Sequence, residues 1–163
     1  MSTPSPSPTS SDRELIINRI IDLPPQPLYK AWTEPDLLKQ WFSPSPWTTP
    51  HAELDVRPGG SNFIIMRSPE GQEYPHPGVY LEVVPNRKLV ITNAFTDAWE
   101  PNPNAAPLLT VIITLEDIGG GKTNYTARVL HWSAADREKH EAMGFYFGWN
   151  QCLDQLIELA SKN

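Results

Sequence analysis

The chain has little cysteine, little positive charge and no long apolar run. A single cysteine among 163 residues, Cys152, excludes an intramolecular disulfide and is typical of a reducing compartment. The net charge of -6 argues against a nucleic-acid partner, because no basic cluster offsets it. No apolar run approaches the roughly 20 residues of a membrane-spanning helix, and the first residues lack the basic and apolar segments of a signal peptide. We therefore expect a cytoplasmic protein that binds neither nucleic acid nor membrane.

Recognisable catalytic motifs are also missing. The histidines occur singly, without the i, i+4 pairing or flanking thiols of a zinc site; they are His51, His76, His131 and His140. No Gly-x-Ser-x-Gly elbow is present. Cys152 lies in an apolar helical stretch, where a small buried hydrophobe is expected rather than a nucleophile. The sequence thus predicts no metal, no cofactor and no assigned catalytic residue.

Composition divides the chain into a tail and one domain. Residues 1–12 are rich in Pro and Ser with no apolar pattern after Met1, which predicts a flexible tail. Residues 13–163 are long enough for a single domain with its own core. Their first element is a β-branched strand from Leu15 to Ile21, ended by the prolines from Pro24 onward.

The remaining pattern predicts two short helices, a run of strands and one long helix. The two helices precede a proline-rich loop over 43–50. Six strands joined by short turns follow, as in an antiparallel meander, at 53–57, 62–67, 78–84, 89–96, 108–115 and 123–131. Ser133 caps a predicted helix over 134–161, about 40 Å long at 1.5 Å per residue. Gly148 lies on it, where we expect close approach to the sheet. The order indicates an α+β fold in which a bent sheet grips one helix.

Motifs throughout the domain support this architecture. The opening set comprises Arg19, Pro24, Leu28, Ala31-Trp32-Thr33-Glu34-Pro35 and Trp41. The middle set comprises Asp55-Val56-Arg57-Pro58-Gly59-Gly60, Met66, Gly71, Gly78, Glu82, Val84-Pro85 and Leu89-Val90. The closing set comprises Gly148-Trp149, Leu153 and Leu156. With them the chain resembles the START-related helix-grip (SRPBCC, polyketide cyclase-like) superfamily, in the branch named for an activator of the heat-shock chaperone ATPase. Asn62 departs from it, since relatives usually carry an aromatic residue there.

The resemblance implies a cavity between the sheet and the closing helix. Its register would turn one face of each strand inward, and large rings would rim the mouth. The residues expected to contact a ligand are Trp41, Phe42, Trp47, Asn62, Ile64, Met66, Tyr80, Glu82, Asn93, Phe95, Trp99, His131, Trp132, Phe145 and Trp149. A simple filled core is the alternative for any one of them. The polar members favour a site, because unpaired polar groups in a core cost about 1–3 kcal/mol.

Three functions are compatible with these residues and with the resemblance. The first is binding of a small hydrophobic or amphipathic molecule. The second is a cyclase or dehydratase acting on a polyketide-like or aromatic substrate, with Glu82 and His131 as an acid–base pair. An ion pair of Glu82 with Arg19 or Arg57 is an equal alternative for that carboxylate. The third is regulation of a chaperone ATPase, which ranks last, so we do not expect a chaperone partner. Enzyme activity is not favoured, and a homodimer stays open.

Overall fold

The computed structural model describes residues 10–103 and 108–162. The predicted tail therefore lies mostly outside the described residues, and its flexibility stays a prediction. Its last part is described: Ser10–Arg13 forms a 3-10 helix, and the Arg137 side chain donates to the Asp12 carbonyl at 3.2 Å.

Two antiparallel sheets contain the strands of the described chain. The larger has the order β1-β8-β7-β6-β5 and the smaller the order β2-β3-β4. Their bounds are β1 Glu14–Ile21, β2 Thr48–Leu54, β3 Asn62–Arg67, β4 Glu73–His76, β5 Val79–Val84, β6 Lys88–Thr92, β7 Leu109–Gly119 and β8 Lys122–His131. A bridge between Ser61 and Val79 joins the two sheets. This curved antiparallel arrangement with a long C-terminal helix is the helix-grip fold that the sequence predicts.

Two strand predictions need correction. β2 begins at Thr48, inside the segment predicted as a loop, and ends at Leu54. Proline is tolerated there because β2 is an edge strand, and the register shifts between Thr48 and His51, around Pro50. β4 was not predicted from the sequence, because its residues are all exposed and it therefore lacks the alternation of a half-buried strand.

The helices are α1 Pro25–Thr33, α2 Pro35–Leu38, α3 Ala134–Ala142 and α4 Phe145–Ser161. Ser133 caps α3 as predicted, since its hydroxyl accepts from the Asp136 amide at 3.1 Å. The predicted single C-terminal helix is interrupted, however, because Gly144 adopts a left-handed φ of 93° that an α-helix cannot accommodate. α4 has 17 residues. It spans about 25 Å rather than 40 Å.

The concave face of the large sheet carries the core. One row of cross-strand neighbours runs through all five strands and consists of Leu15, Val129, Val111, Ile91 and Tyr80. Cross-strand partners share a face, so Tyr80 lies on the inner face as predicted. α4 packs Phe145, Leu153, Leu156 and Ala160 into the same core.

Candidate binding site

Two buried polar atoms lie where the sheets meet. Tyr80 on β5 is 0% exposed and Asn62 at the start of β3 is 6% exposed. Neither Tyr80 Oη nor Asn62 Nδ2 has a hydrogen-bond partner in the described part of the chain. We refer to these two atoms as the donor pair. Because buried polar groups are normally hydrogen-bonded, this unpartnered pair calls for an explanation.

Backbone hydrogen bonds between the sheets hold the donor pair in position. The Tyr80 amide donates to the Gly60 carbonyl at 3.0 Å, and the Gly59 amide donates to the Tyr80 carbonyl at 2.8 Å. The Asn62 amide donates to the Gly78 carbonyl at 2.9 Å. Gly60 is required in this arrangement, since a Cβ there would lie 1.9 Å from the Asp55 carbonyl oxygen.

The surroundings of Tyr80 keep its hydroxyl protonated. Burial raises the pKa of Tyr80 to about 12. The nearby Asn62 side chain partly opposes this pKa shift, while Tyr29 and the Asp55 carboxylate add to it. The Asn62 side chain lowers the pKa of Tyr80 as a hydrogen-bonding partner would, yet the two atoms do not meet the geometry of a hydrogen bond. Tyr80 is a neutral donor across the physiological pH range.

Half-buried apolar side chains separate the donor pair from solvent. Leu54 is the cross-strand partner of Asn62 and shares its face of the small sheet. Leu54 and Tyr29 are both only partly buried and pack against the core. Ile64, further along β3, is buried at 3% exposure, while Met66 is partly exposed. Asn62 therefore has a partly exposed apolar neighbour, Leu54, on the same face of the small sheet.

Two other polar candidates are placed differently from the prediction. Glu82 was expected to face inward, but the register shifts between Tyr80 and Glu82, so Val83 pairs with Leu89 on the inner face. Glu82 is exposed and its carboxylate lies 3.2 Å from Lys88, whereas Arg19 pairs with Asp154 and Arg57 with Asp55. Both proposed arginine partners of Glu82 were thus wrong.

Asn93 organises the end of the sheet. Its Oδ1 accepts from the Leu109 amide at 2.9 Å, and its carbonyl accepts from Asn102 Nδ2 at 3.0 Å. The side-chain oxygen of Asn93 therefore binds the backbone of β7. Its carbonyl holds the Asn102 side chain, which belongs to the segment between β6 and β7.

The two histidines that the sequence separates by nine positions are in contact. His131 is 2% exposed; its Nδ1 donates to the Arg13 carbonyl at 2.8 Å, and its Nε2 lies 2.8 Å from His140 Nδ1. Burial and the neighbouring His131 lower the pKa of His140 to about 4. Both ring nitrogens of His131 have partners, so neither is free for a ligand. The spacing of the two histidines did not predict this contact, because it depends on the turn between β8 and α3 that brings the rings together.

The large rings do not form one rim. Trp41 is 3% exposed and donates from Nε1 to the Ala31 carbonyl at 2.9 Å, so its predicted rim position is wrong. Phe42 packs beside it, at 5.7 Å between ring centroids. The remaining rings lie apart: Trp47 on Tyr74, Trp99 on Phe95, and Trp132 at 52% exposure. Trp99 also covers Gly59, where a Cβ would lie 3.1 Å from the indole.

α4 contributes apolar side chains and an unreactive thiol. Phe145 is 2% exposed and stacks on the partly buried Trp149 at 5.1 Å between centroids. Burial raises the pKa of Cys152 to about 12, and its Sγ donates to the Phe42 carbonyl at 3.0 Å. Cys152 is only partly buried, which differs from the expected buried residue, and its raised pKa leaves little thiolate at neutral pH.

Two open hollows lie on the described surface, and neither is the cavity expected between the sheet and the closing helix. No residue of α4 lines either hollow, and neither Asn62 nor Tyr80 does. A groove of about 1000 Å³ runs past the turn between β5 and β6, with Gln26, Arg87, Glu116 and Asn124 among its walls. A smaller hollow of about 220 Å³ is bounded by Ser61, Phe63 and Gly78, beside the junction of the sheets.

The described residues offer neither a membrane span nor a metal site. None of the described helices has the length and apolar character to cross a bilayer. In residues 10–103 and 108–162, no group of three or more His, Cys, Asp or Glu side chains is arranged to hold a metal ion.

Fold and site together define a helix-grip domain with an apolar interior and a buried donor pair. The model of the family described as activator of Hsp90 ATPase homolog 1-like protein matches residues 22–161. The chain belongs to that family.

Solved structures support the assignment. A crystal structure of a Nitrosomonas europaea protein is 36% identical over 93% of this chain and 96% of its own, with a TM-score of 0.87. A Chromobacterium violaceum protein is 25% identical over 91% and 96%, with a TM-score of 0.74. An Aeromonas hydrophila protein described as AHSA1-like shares the fold at 17% identity over 91% and 92%, with a TM-score of 0.68. A comparison with curated proteins gave no match.

Proposed function

We propose that this protein binds a small hydrophobic or amphipathic molecule inside the helix-grip domain, next to the donor pair. The observation that supports this proposal is the unpartnered state of Tyr80 Oη and Asn62 Nδ2 among the described residues of an apolar interior. An unpaired buried polar group costs about 1–3 kcal/mol, and a ligand that pairs it recovers that free energy. Apolar burial supplies the affinity, at roughly 25 cal/mol per Å² before the entropy costs of binding.

The half-buried side chains around the donor pair support an entry route between the small sheet and α1. Leu54 is the cross-strand partner of Asn62, Tyr29 interacts electrostatically with Tyr80, and both are only partly buried. Rotation of these side chains would connect the donors with the surface without breaking a strand pairing. In this proposal the apolar wall is formed by four of the other predicted residues, namely Ile64, Met66, Phe145 and Trp149.

The acid–base interpretation of the same fold loses its proposed residues. Glu82 lies on the outer face of the sheet beside Lys88, whereas His131 is buried beside His140. The two residues therefore do not form an acid–base pair. A cyclase or dehydratase would therefore need other groups. Chaperone ATPase regulation is named in the family description. It would require a protein-facing surface.

A ligand experiment tests the binding proposal. Native mass spectrometry of the protein purified from its own cells should show a bound small molecule that is lost on denaturation. In parallel, isothermal calorimetry with apolar ring compounds should give dissociation constants below about 1 mM, which corresponds to about 4 kcal/mol. No bound mass together with no binding in this range would contradict the proposal.

A further inference from the structure

The chemistry of the donor pair restricts the kind of ligand. Asn62 Nδ2 can only donate, and a phenol with a pKa of about 12 is a donor at neutral pH. Both atoms are buried without an acceptor in the described residues. They belong to side chains on one face of the Ser61–Val79 bridge, where Asn62 lies diagonally across from Tyr80. One oxygen with two lone pairs could accept from both.

The charges around the donor pair argue against an anionic ligand. The negatively charged Asp55 carboxylate interacts electrostatically with the Tyr80 hydroxyl and raises its pKa. The cation paired with this carboxylate, Arg57, lies 2.9 Å from Asp55 and exposes 66% of its side chain. A buried carboxylate would thus meet a negative field and have no partner cation at the donor pair among the described residues. Burying an unpaired charge costs far more than burying a neutral oxygen.

The apolar walls argue against a strongly polar ligand. Leu54 pairs across the small sheet with Asn62, and Ile91 pairs across the large sheet with Tyr80. Ile64 lies two positions after Asn62 on the same face of β3. These side chains offer no hydrogen bonds. A ligand with additional hydroxyl or amine groups would leave them unpaired in this region.

We infer that the donor pair selects neutral, ring-containing compounds with a carbonyl oxygen, such as cyclic ketones or lactones, over hydrocarbons and carboxylates of the same skeleton. This inference rests on the proposed function and specifies its ligand class. Tyr80 and Asn62 are the specificity-determining residues, and the carbonyl oxygen accepts one hydrogen bond from each. Discrimination between ligands is strong in such a site, because a ligand without the acceptor oxygen leaves the buried donors unpaired.

The test compares three probes of one skeleton: 1-tetralone, tetralin and tetralin-1-carboxylate. Calorimetry on the parent chain should show 1-tetralone binding at least about tenfold more tightly than each of the other two, the size expected for satisfying one or two buried donors. Tyr80→Phe and Asn62→Leu should each reduce the preference for 1-tetralone over tetralin to less than about threefold, while the affinity for tetralin changes little.

A matched variant and a spectroscopic readout separate recognition from folding. Tyr125→Phe removes an equally buried phenol away from the donor pair and should leave the ranking of the probes unchanged. The infrared carbonyl stretch of bound 1-tetralone should move to lower frequency in the parent and less so in Tyr80→Phe. Equal binding of tetralone and tetralin, or preferred binding of the carboxylate, overturns the inference and leaves the proposed function standing. If none of the three probes binds, the inference is overturned, whereas the proposed function is overturned only if native mass spectrometry also shows no bound molecule.

Discussion

Trp32 Nε1 donates a hydrogen bond to Tyr125 Oη at 3.2 Å and thereby ties α1 to β8 in the centre of the core. Trp32 is 4% exposed and Tyr125 is 3% exposed, so the bond is shielded from water. Tyr80 is equally buried, but its hydroxyl has no such partner in the described chain.

The two tyrosines should respond oppositely to removal of the hydroxyl. Tyr125→Phe leaves the Trp32 donor buried and unpaired, which should cost about 1–3 kcal/mol of unfolding free energy. Tyr80→Phe removes an atom without a partner in the described chain, so it should be neutral or stabilise the ligand-free protein by up to about 1 kcal/mol. Urea unfolding of the parent and both variants measures this. A larger loss for Tyr80→Phe than for Tyr125→Phe would show that Tyr80 is paired in solution.

The two glycines Gly60 and Gly148 provide a second contrast. A Cβ at Gly60 would meet the Asp55 carbonyl oxygen, which is backbone that cannot yield cheaply. We therefore expect Gly60→Ala to cost at least about 2 kcal/mol. Gly148 lies within α4, and a Cβ there meets nothing within 4 Å in the described structure. The expectation of close approach to the sheet at Gly148 was therefore wrong, and Gly148→Ala should stabilise by about 0.5–1 kcal/mol.

Thermal or denaturant unfolding of these two variants checks the prediction. Alanine at Gly148 serves as the control for the substitution at Gly60, since both changes add the same methyl group. If Gly60→Ala unfolds like the parent, the loop between β2 and β3 has another conformation in solution.

Much of the fold could be predicted because its signals are periodic. Strands such as β7 and β8 alternate between a buried and an exposed face, and that alternation set their inward register correctly. β4 escaped detection because it has no buried face. The end of α3 was not predicted, because a glycine within a helical stretch lowers the helix propensity only slightly. In the structure, Gly144 adopts a left-handed conformation that interrupts the helix.

The candidate site was harder to predict, because it depends on contacts that no local pattern encodes. The register shift after Tyr80 reverses the side of the sheet on which Glu82 lies, and nothing in the alternation of residues marks it. The contact of His131 with His140 likewise depends on the turn between β8 and α3. Asn62 and Tyr80 were identified correctly as inward polar groups, but their lack of partners among the described residues is visible only in three dimensions.

Cys152 should be nearly inert toward thiol reagents in the folded protein. Its pKa is raised to about 12 by burial, so the nucleophilic thiolate is scarce at neutral pH. Reaction with iodoacetamide at pH 8 should become fast only after unfolding in urea, when the thiol regains an ordinary pKa near about 8.5. Intact-mass spectrometry follows the adduct over time. Rapid alkylation without denaturant would show that α4 opens readily or that the thiol is accessible.

The His131–His140 pair should make the fold less stable as the solution becomes acidic. The pKa of His140 falls from 6.5 to about 4 on folding, so below pH 6.5 the unfolded chain binds a proton that the folded chain does not. Stability is therefore unaffected above pH 6.5 and declines as the pH falls toward about 4, where the effect levels off. The total loss is at most about 3 kcal/mol, and less after solvent screening of this partly buried ring.

Denaturant unfolding between pH 4 and pH 7.5 measures this effect against a matched control. His140→Gln keeps a side-chain donor toward His131 Nε2 but cannot titrate, so its stability should fall less steeply with acidity than that of the parent. His51→Gln removes a histidine whose side chain is 43% exposed and should follow the parent profile. Carboxylates shared by all three proteins contribute equally and cancel in the comparison. Parallel profiles for the parent and His140→Gln would mean that the two rings are not in contact in solution.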